Sequence, residues 1–353
     1  MSLTLFPDPV KERESRLPAG NKSMIIEVRE SSQAGEARRK VAEFAHDLQL
    51  GEVRSGAAAL AATEMATNLV KHAGNGTLLL QRVHENGNSG LRLIAIDKGP
   101  GIVDVARALQ DGHSTAGSMG SGLGAVRRAS DIFEVYSATG VGTLIRSEFW
   151  EGNHHHPPVT GTLRTAAISE PIHGEEECGD GWGLRTFADS LVLMVVDGLG
   201  HGIHASEAAR EAEQVLARAQ SDSLLGILQD VHDALKKTRG AAVAVARIQE
   251  AKGLITFSGV GNISASIVSP GVSRSMASHN GTVGHHMPRV QEFTYPWNAD
   301  SIVVMHSDGL GSRWDLERYP GIWGKHPSLI SAMLHRDFSR GRDDVTVLVA
   351  KTL

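Results

Sequence analysis

The sequence predicts an α+β protein of two domains, and three observations support this prediction. A run of good helix formers at residues 57–72 is followed by an apolar strand-like run at residues 91–96. Further apolar runs at residues 191–196 and 302–305 are each followed, within three residues, by an aspartate next to glycine. Between the two sets, residues 151–161 break the periodicity. A length of 353 residues leaves room for two cores.

The predicted boundary is a polar segment with three adjacent histidines and a Pro-Pro pair. Because proline resists both helix and sheet, residues 151–161 predict a short linker between domains at residues 24–150 and 162–353. The histidine run lacks the spacing of a shaped metal site. Residues 1–23 contain prolines and mixed charges, and we predict a flexible N-terminus.

The first domain is predicted to alternate strands and helices. The long alanine-rich run predicts a helix that Gly74 ends, since glycine readily terminates helices. In order, we predict a strand at residues 24–28, helices at 34–48 and 57–72, a strand at 77–84, and two strands that flank a glycine-rich lid and the helix that the lid opens.

The second domain is predicted to be rich in strands, because short apolar runs recur between turn residues. Two helices follow the acidic run that ends the third strand. In order, we predict strands at residues 162–169, 182–188 and 191–196, helices at 205–220 and 224–237, and strands at 242–249, 254–259, 265–268, 302–306 and 345–351.

Four acidic residues in the second half stand at the ends of strand-like runs. Asp197 and Asp308 follow buried-looking strands, while Asp180 and Asp343 stand in glycine-containing turns. One Asp-Gly pair alone is typical of an ordinary hairpin turn. Four together indicate a site for hard cations, which prefer oxygen ligands and can clamp the oxygens of a phosphoryl group.

The order and flanks of these four elements resemble the PPM family of metal-dependent serine/threonine phosphatases, in the bacterial branch that contains SpoIIE and RsbX. The resemblance spans residues 161–353 and is most specific at residues 178–181 and 196–202. It implies a β-sandwich flanked by α-helices, and attack on phosphoserine or phosphothreonine by a water activated by two Mn²⁺ or Mg²⁺ ions. Cys178 lacks the following arginine of a thiol phosphatase.

The PPM resemblance also implies a ligand set. Asp197 would bridge the two metals, with the Gly198 carbonyl as a further ligand, and Asp180 would serve one metal directly or through water. Asp344 has two open roles, as a ligand or as a support for its neighbour. The implied metal ligands are Asp180, Asp197, Gly198, Asp308 and Asp343.

The first half has a second group of polar residues. Glu64 and Asn68 are four residues apart in the predicted helix, so they share one face and can converge on one ion or phosphate. The strand at residues 91–96 leads into Asp97, and residues 117–124 form a glycine-rich loop before a helix, an arrangement that suits phosphate groups. The spacing fits neither a P-loop nor a Rossmann turn.

This trio resembles the N box and the two glycine boxes of the GHKL ATPase superfamily, in its anti-sigma-factor kinase branch, which includes RsbT. The resemblance covers residues 24–150 and implies an α/β sandwich of the Bergerat type that binds ATP and Mg²⁺. Glu64 would be the catalytic residue that orients or deprotonates the acceptor hydroxyl, Asn68 would hold Mg²⁺, and Asp97 would accept from the adenine amino group. The implied cofactor-binding residues are Asn68, Asp97, Gly99, Gly101, Gly120, Gly122, Gly124 and Thr143.

Composition limits the other classes of function. A net charge of −5 gives no basic field for nucleic acid, and no apolar run reaches the length of a membrane span or signal peptide. A single cysteine in a protein with 21% charged residues is typical of a cytoplasmic globular protein. We therefore expect no nucleic-acid partner and no membrane.

Together the two resemblances imply a bifunctional partner-switching regulator. One domain would phosphorylate a serine on a STAS-domain antagonist of the stressosome type, and the other would dephosphorylate its phosphoserine form. A sigma factor or a downstream switch protein is a further candidate partner. Two alternatives remain open: the GHKL domain serves only as a nucleotide-dependent, anti-sigma-type binding module, or the phosphatase needs movement of the helix at residues 205–220.

Overall fold

The computed structural model describes residues 23–85, 88–110, 122–151, 163–287 and 289–353. Three of the predicted features lie largely or wholly outside these residues: the N-terminal segment before Ser23, the linker after Glu151, and Gly120 in the glycine-rich loop. No helix in the described ranges has both the length and the apolar character needed to cross a bilayer.

The first domain is a five-stranded antiparallel sheet with helices packed on one face, which agrees with the predicted α/β sandwich. The strand order is β1-β2-β3-β5-β4. Apolar side chains from the sheet and from helices α1, α2 and α4 form its core. The elements are β1 (Ser23–Val28), α1 (Gln33–Asp47), α2 (Glu52–Asn68), β2 (Gly76–Glu85), β3 (Asn88–Ile96), α3 (Val105–Ala108), α4 (Gly122–Ala129), β4 (Ile132–Ala138) and β5 (Gly142–Trp150).

The predicted helix at residues 57–72 differs from the observed one at both ends. Helix α2 begins at Glu52 and ends at Asn68, where a π-helical turn, Leu69–Ala73, takes over. Gly74 has a φ of 79° and ends the turn, in agreement with the prediction. Because π-helical turns widen the backbone spiral, they are frequent at functional sites, and Asn68 stands where this one begins.

The second domain is a sandwich of two five-stranded antiparallel sheets. Their strand orders are β13-β10-β9-β8-β7 and β12-β11-β14-β15-β6, and their inner faces enclose one apolar core. Helices α5 and α6 cover the outer face of the first sheet. The elements are β6 (Leu163–Glu170), β7 (Asp180–Thr186), β8 (Leu191–Gly198), α5 (Ile203–Arg218), α6 (Leu224–Leu235), β9 (Ala241–Gln249), β10 (Leu254–Val260), β11 (Ser264–Ser269), β12 (Val272–Met276), β13 (Phe293–Pro296), β14 (Ile302–His306), α7 (Pro327–Phe338) and β15 (Val345–Thr352).

Two predicted strand boundaries differ slightly from the observed ones. The sequence places Asp180 just before a strand and Asp197 just after one, whereas Asp180 is the first residue of β7 and Asp197 is the last but one of β8, and the two are paired opposite each other. The antiparallel ladder runs on past the apolar residues, because each backbone amide still finds a partner on the neighbouring strand. Strands β12 and β13 and helix α7 are absent from the prediction.

Helix α7 joins the two domains. It covers the outer face of the sheet that contains β6, β14 and β15, and its other side packs against the sheet of the first domain. Leu79 and Ile94 of the first domain share an apolar cluster with Leu329 and Met333 of α7. The first eight residues of α7 are all buried, including Ser328 and Ser331. The two described domains therefore share a core.

A buried ion cluster lies in the sheet of the first domain. Glu148 of β5 accepts from Arg92 Nε at 2.6 Å, from Arg146 Nε at 2.7 Å and from Trp150 Nε1 at 3.1 Å. Burial alone would raise the pKa of Glu148, but the two guanidinium groups lower it to about 2. Such a cluster is costly to break, because removing one partner leaves a buried charge uncompensated.

We expect Glu148→Gln to destabilise the protein by about 3–5 kcal/mol near neutral pH. The folded pKa of about 2 lies below the ordinary 4.5, so the stabilisation by the carboxylate is complete above 4.5 and is lost as the pH falls toward 2. Thermal unfolding across the acid range should show the gap between wild type and variant narrowing. The control is Glu27→Gln, an exposed partner of Arg29. A gap that does not change with pH would contradict this account.

Candidate active sites

Four carboxylates from both sheets of the sandwich lie at one edge of the second domain. Asp180 and Asp197 are cross-strand partners in β7 and β8. In the other sheet, β14 and β15 are neighbouring strands. Asp308 lies two residues after β14, and Asp343 lies two residues before β15. An open cavity of about 250 Å³ borders this edge, lined by Asp308, Gly309, Arg340, Arg342 and Asp343.

Neighbouring side chains hold two of these acids in place. Ser307 donates to Asp180 Oδ2 at 2.5 Å, and the same hydroxyl accepts from the Thr346 amide at 2.9 Å. Asn262 Nδ2 donates to Asp308 Oδ2 at 2.8 Å. Each contact fixes one oxygen of a carboxylate by a neutral donor, so the negative charge that attracts a cation is kept.

Asp344 differs from its neighbour Asp343. Its Oδ1 accepts from the Ile172 amide at 2.7 Å, and its Oδ2 accepts from the Gly179 amide at 2.8 Å. Both oxygens are therefore occupied by backbone donors from the segment that leads into Asp180. Of the two roles that the sequence leaves open for Asp344, the geometry favours the support of its neighbours.

The carboxylates raise one another's proton affinity. Burial and the charge of Asp197 raise the pKa of Asp180 well above its ordinary range. Burial, followed by the charges of Asp308 and Asp343, raises the pKa of Asp197 to about 7. Like charges at such short range are mutually destabilising unless a cation or a proton compensates them. The donor set, made of acidic oxygens only, therefore fits Mg²⁺ or Mn²⁺.

No three acidic, histidine or cysteine side chains in the described part of the chain already close around one cation position. Gly198 shows how tightly the backbone is packed here, because a Cβ at this position would lie 2.3 Å from the carbonyl oxygen of Ala205 in α5. Only glycine allows this helix to approach the end of β8.

The polar residues of the first domain form a second site. Glu64 and Asn68 lie one turn apart in α2, as predicted. The Asn68 Nδ2 atom is buried and has no hydrogen-bond partner among the described residues. A buried N–H donor without a partner costs free energy unless a ligand or water accepts from it, so this atom fits an acceptor such as a phosphate oxygen or a water molecule.

Asp97 follows the end of β3 and is held by backbone donors. Its Oδ1 accepts from the Gly99 amide at 2.8 Å and from the Thr143 amide at 3.0 Å. Burial raises the pKa of Asp97, and these two amides oppose the rise. Both of these bonds go to Oδ1 and not to Oδ2. A Cβ at Gly101 would lie 2.2 Å from the Ala138 carbonyl oxygen.

The remaining predicted residues of this site are placed in part. Thr143 lies beside Asp97, but its hydroxyl pairs with Ser137 at 2.8 Å. Gly122 and Gly124 form the first turn of α4, and Gly120 lies outside the described residues. The structure thus brings the Asp97 loop and Thr143 together, and it places Glu64 and Asn68 on one helix.

Sequence reasoning missed several residues of the metal site. Ser307 and Asn262 hold two of the acids, and Arg340 and Arg342 line the cavity beside them. The Gly261-Asn262 turn between β10 and β11, with a φ of 100° at Gly261, is the one local signal that could have indicated Asn262. The two arginines flank the Gly341 turn next to the predicted Asp343.

The comparisons with known proteins agree with this arrangement. The family model "Histidine kinase-like ATPase domain" matches residues 28–148, and the model "Stage II sporulation protein E (SpoIIE)" matches residues 188–353. The chain is 38% identical over 114 residues to the serine/threonine-protein kinase RsbT of Bacillus subtilis (strain 168), which covers 32% of this chain and 86% of that protein. The chain belongs to the RsbT family, fused to a SpoIIE-type phosphatase domain.

The second half has its own relative. The chain is 26% identical over 149 residues to the phosphoserine phosphatase RsbX of the same organism, covering 42% of this chain and 75% of that protein. A solved structure described as "The bacterial stressosome: a modular system that has been adapted to control secondary messenger signaling" superposes with a TM-score of 0.51 and 26% identity, over 54% of this chain and 99% of that one. The second domain is a PPM-type serine/threonine phosphatase domain.

Asp343 and Asp344 should respond differently to the same substitution. Asp343→Asn removes a negative charge from a cluster of acids that repel one another, so we expect no loss of stability without metal. The affinity for Mn²⁺ should fall by more than the roughly 10–100-fold loss that follows removal of an outer-shell partner of a metal ligand. Asp344→Asn turns an amide group toward one of two backbone donors and should destabilise the metal-free fold by about 1–3 kcal/mol.

Calorimetric Mn²⁺ titration and thermal unfolding of the metal-free protein separate the two variants. The account predicts that Asp343→Asn mainly changes the titration, whereas Asp344→Asn lowers the melting temperature. Equal loss of metal-free stability in both variants would contradict the division of roles between the two neighbours.

Proposed function

We propose that this chain is a bifunctional partner-switching regulator. Its first domain would use ATP to phosphorylate a serine on a STAS-domain antagonist of the stressosome type, and its second domain would remove the same phosphate. One observation carries the proposal: a single chain combines a likeness to a serine/threonine-protein kinase with a likeness to a phosphoserine phosphatase.

The acidic edge of the sandwich supports the phosphatase half. Asp180, Asp197, Asp308, Asp343 and the Gly198 carbonyl are the proposed holders of two Mn²⁺ or Mg²⁺ ions. When bound, such ions polarise a phosphoryl oxygen and lower the pKa of a coordinated water. Burial, followed by the charges of Asp308 and Asp343, raises the pKa of Asp197 to about 7. A bound cation would compensate both effects, which supports metal binding.

Two arginines next to the acids suit a phosphate ester. Arg340 and Arg342 line the same cavity as Asp308 and Asp343 and are exposed. A guanidinium group binds phosphate oxygens through paired, charge-assisted hydrogen bonds. In the proposal these arginines orient the phosphoserine in the cavity, while Ser307 and Asn262 keep Asp180 and Asp308 in position.

The Asp97 loop and helix α2 support the kinase half. Asp97, with Oδ1 fixed by the Gly99 and Thr143 amides, presents Oδ2 to the adenine amino group of ATP. A Cβ at Gly101 would meet the Ala138 carbonyl oxygen, so this close approach of the loop requires glycine. Asn68 would hold Mg²⁺, Glu64 would orient or deprotonate the acceptor serine, and Gly120, Gly122 and Gly124 would border the phosphates.

The proposed partners follow from the two chemistries. The unphosphorylated STAS-domain protein would be the kinase substrate, and its phosphoserine form would be the phosphatase substrate. A sigma factor or a downstream switch protein is a second candidate partner for the first domain. The cytoplasm is the proposed compartment, because the kinase reaction needs ATP and the phosphatase acts on the phosphoserine that this reaction makes.

The phosphatase half predicts metal-dependent phosphate release. Incubation of the protein with Mn²⁺ and a phosphoserine-bearing STAS-domain protein should release phosphate, and a chelator should stop it. Asp197→Asn should lower the rate by at least about 100-fold, since it removes the proposed bridging carboxylate. The matched control is Asp233→Asn, an exposed acid in α6 that pairs with Lys236. Release that persists with chelator or in the Asp197 variant would remove these acids from the reaction.

The kinase half predicts a division between chemistry and binding. Glu64→Ala should stop transfer of labelled phosphate from ATP to the STAS-domain protein and leave ATP affinity nearly unchanged. Asp97→Asn should weaken ATP binding itself by about tenfold or more, because it disturbs a charged hydrogen bond. Fluorescent nucleotide titration and phosphotransfer measure the two effects. Equal loss of affinity in both variants contradicts these roles, and wild-type ATP binding without transfer would make the first domain a binding module.

A further inference from the structure

The helix α7 of the phosphatase domain ends against the Asp97 loop of the ATPase domain. Arg336, in the last turn of α7, donates through Nη1 to the backbone carbonyl oxygen of Asp97 at 2.6 Å. This side chain is only 7% exposed. The contact therefore joins residues 239 positions apart in the sequence and lies inside the boundary between the two domains.

Arg336 is fixed by its own neighbours. Its Nε and Nη2 donate to the two carboxylate oxygens of Asp337 at 3.0 and 2.6 Å. Asp337 also accepts from the Tyr319 hydroxyl at 2.9 Å and pairs with Lys98 Nζ at 3.2 Å. Lys98 follows Asp97 directly, so the same loop is held twice by the end of α7. A forked pair of this kind fixes the plane of the guanidinium group.

The ATPase domain is shaped to admit this guanidinium group. Gly142 has a φ of 110°, and a Cβ there would lie 2.2 Å from the Asp97 carbonyl oxygen and 2.9 Å from Arg336 Nη1. Any larger residue would separate the two groups. The Asp97 amide also donates to the Thr143 carbonyl at 3.0 Å. With Arg336 in place, the backbone amide, the backbone carbonyl and Oδ1 of Asp97 are all engaged, which leaves Oδ2 as the atom proposed to accept from adenine.

The same segment of chain then reaches the metal site. After α7 ends at Phe338, its carbonyl accepts from the Gly311 amide at 2.8 Å, and the Arg340 amide donates to the Gly309 carbonyl at 2.9 Å. Gly309 follows Asp308, and Arg340 lines the cavity of the acids. Arg336, which contacts Asp97, and Arg340, which contacts the loop that carries Asp308, are therefore only four positions apart.

We infer that the nucleotide site is shared between the domains, with Arg336 as a positioning residue that sets the orientation of Asp97 for an adenine nucleotide. This inference rests on the proposed binding of ATP and ADP at Asp97. Coupling between two binding sites acts equally in both directions. A nucleotide that binds best to one position of Asp97 therefore also favours one position of the end of α7 and of the loop that carries Asp308. Nucleotide binding then changes phosphatase activity through residues 336–340.

The test compares affinity for ADP with affinity for GDP in the full chain. Arg336→Ala should weaken ADP binding by about tenfold or more, since it removes a charged hydrogen bond from the residue that reads adenine, and it should change GDP affinity little. A role in stability alone would not alter the ADP-to-GDP ratio. Arg336→Lys should restore only part of the affinity, because a lysine cannot bridge Asp97 and Asp337 in the same plane.

Two further variants keep the test decisive if Arg336→Ala folds poorly. Asp337→Asn leaves the guanidinium group but loosens it, and it should lower ADP affinity in the same direction. Arg274→Ala, in the exposed strand β12, is the matched control and should bind ADP as the wild type does. An ADP-to-GDP ratio that is unchanged in all Arg336 and Asp337 variants overturns the inference. Wild-type protein that binds no ADP overturns the nucleotide assignment itself.

The second readout is phosphatase activity with saturating Mn²⁺ and a phosphoserine STAS-domain protein, with and without ADP. In the wild type, ADP should change kcat/KM of the phosphatase reaction. In Arg336→Ala, kcat/KM with ADP divided by kcat/KM without ADP should approach one at an ADP concentration that saturates the variant. The same ratio in wild type and variant, or no effect of bound ADP on the wild type, overturns the coupling through residues 336–340.

Discussion

The burial of helix α7 on both sides is the constraint on which the arrangement of this protein depends. One side covers the outer face of a phosphatase sheet, and the other packs against Leu79 and Ile94 of the ATPase sheet. Because the first eight residues of the helix are enclosed, including two serines, neither sheet could lose the helix without exposing apolar surface to water. The helix therefore fixes its C-terminal turn, and with it Arg336, against the loop of Asp97.

Unfavourable electrostatics organise the other site. Asp180 and Asp197 face each other across two strands, and neither sheet offers them a cationic side chain within hydrogen-bond distance among the described residues. Their raised pKa values show that the fold keeps acids together at a cost in stability without metal. Neutral donors fix two acids of the site without neutralising them, Ser307 on Asp180 and Asn262 on Asp308. Asp344 accepts from two backbone amides instead. A metal ion would convert this cost into binding affinity.

Local patterns in the sequence predict much of the structure but not its long-range contacts. The helix with Glu64 and Asn68 and the strands before Asp97 and Asp308 follow from periodicity and turn residues. The pairing of Asp180 with Asp197 depends on strand register, which the apolar pattern does not fix at a strand end. Helix α7 was missed, and its contact with Asp97 spans 239 positions, so no local pattern could indicate it. The same holds for Asp344, whose role depends on the amides that its neighbours place beside it.

Opposed activities on one phosphoserine are the central claim, and mass spectrometry of a single STAS-domain protein tests it most directly. The protein and Mg²⁺-ATP would first be incubated with the STAS-domain protein, then ATP would be removed and Mn²⁺ added. The account predicts that one serine gains phosphate in the first step and that the same serine loses it in the second. No gain of phosphate in the first step, or phosphate that is gained at one serine and not removed from it in the second step, would contradict the account.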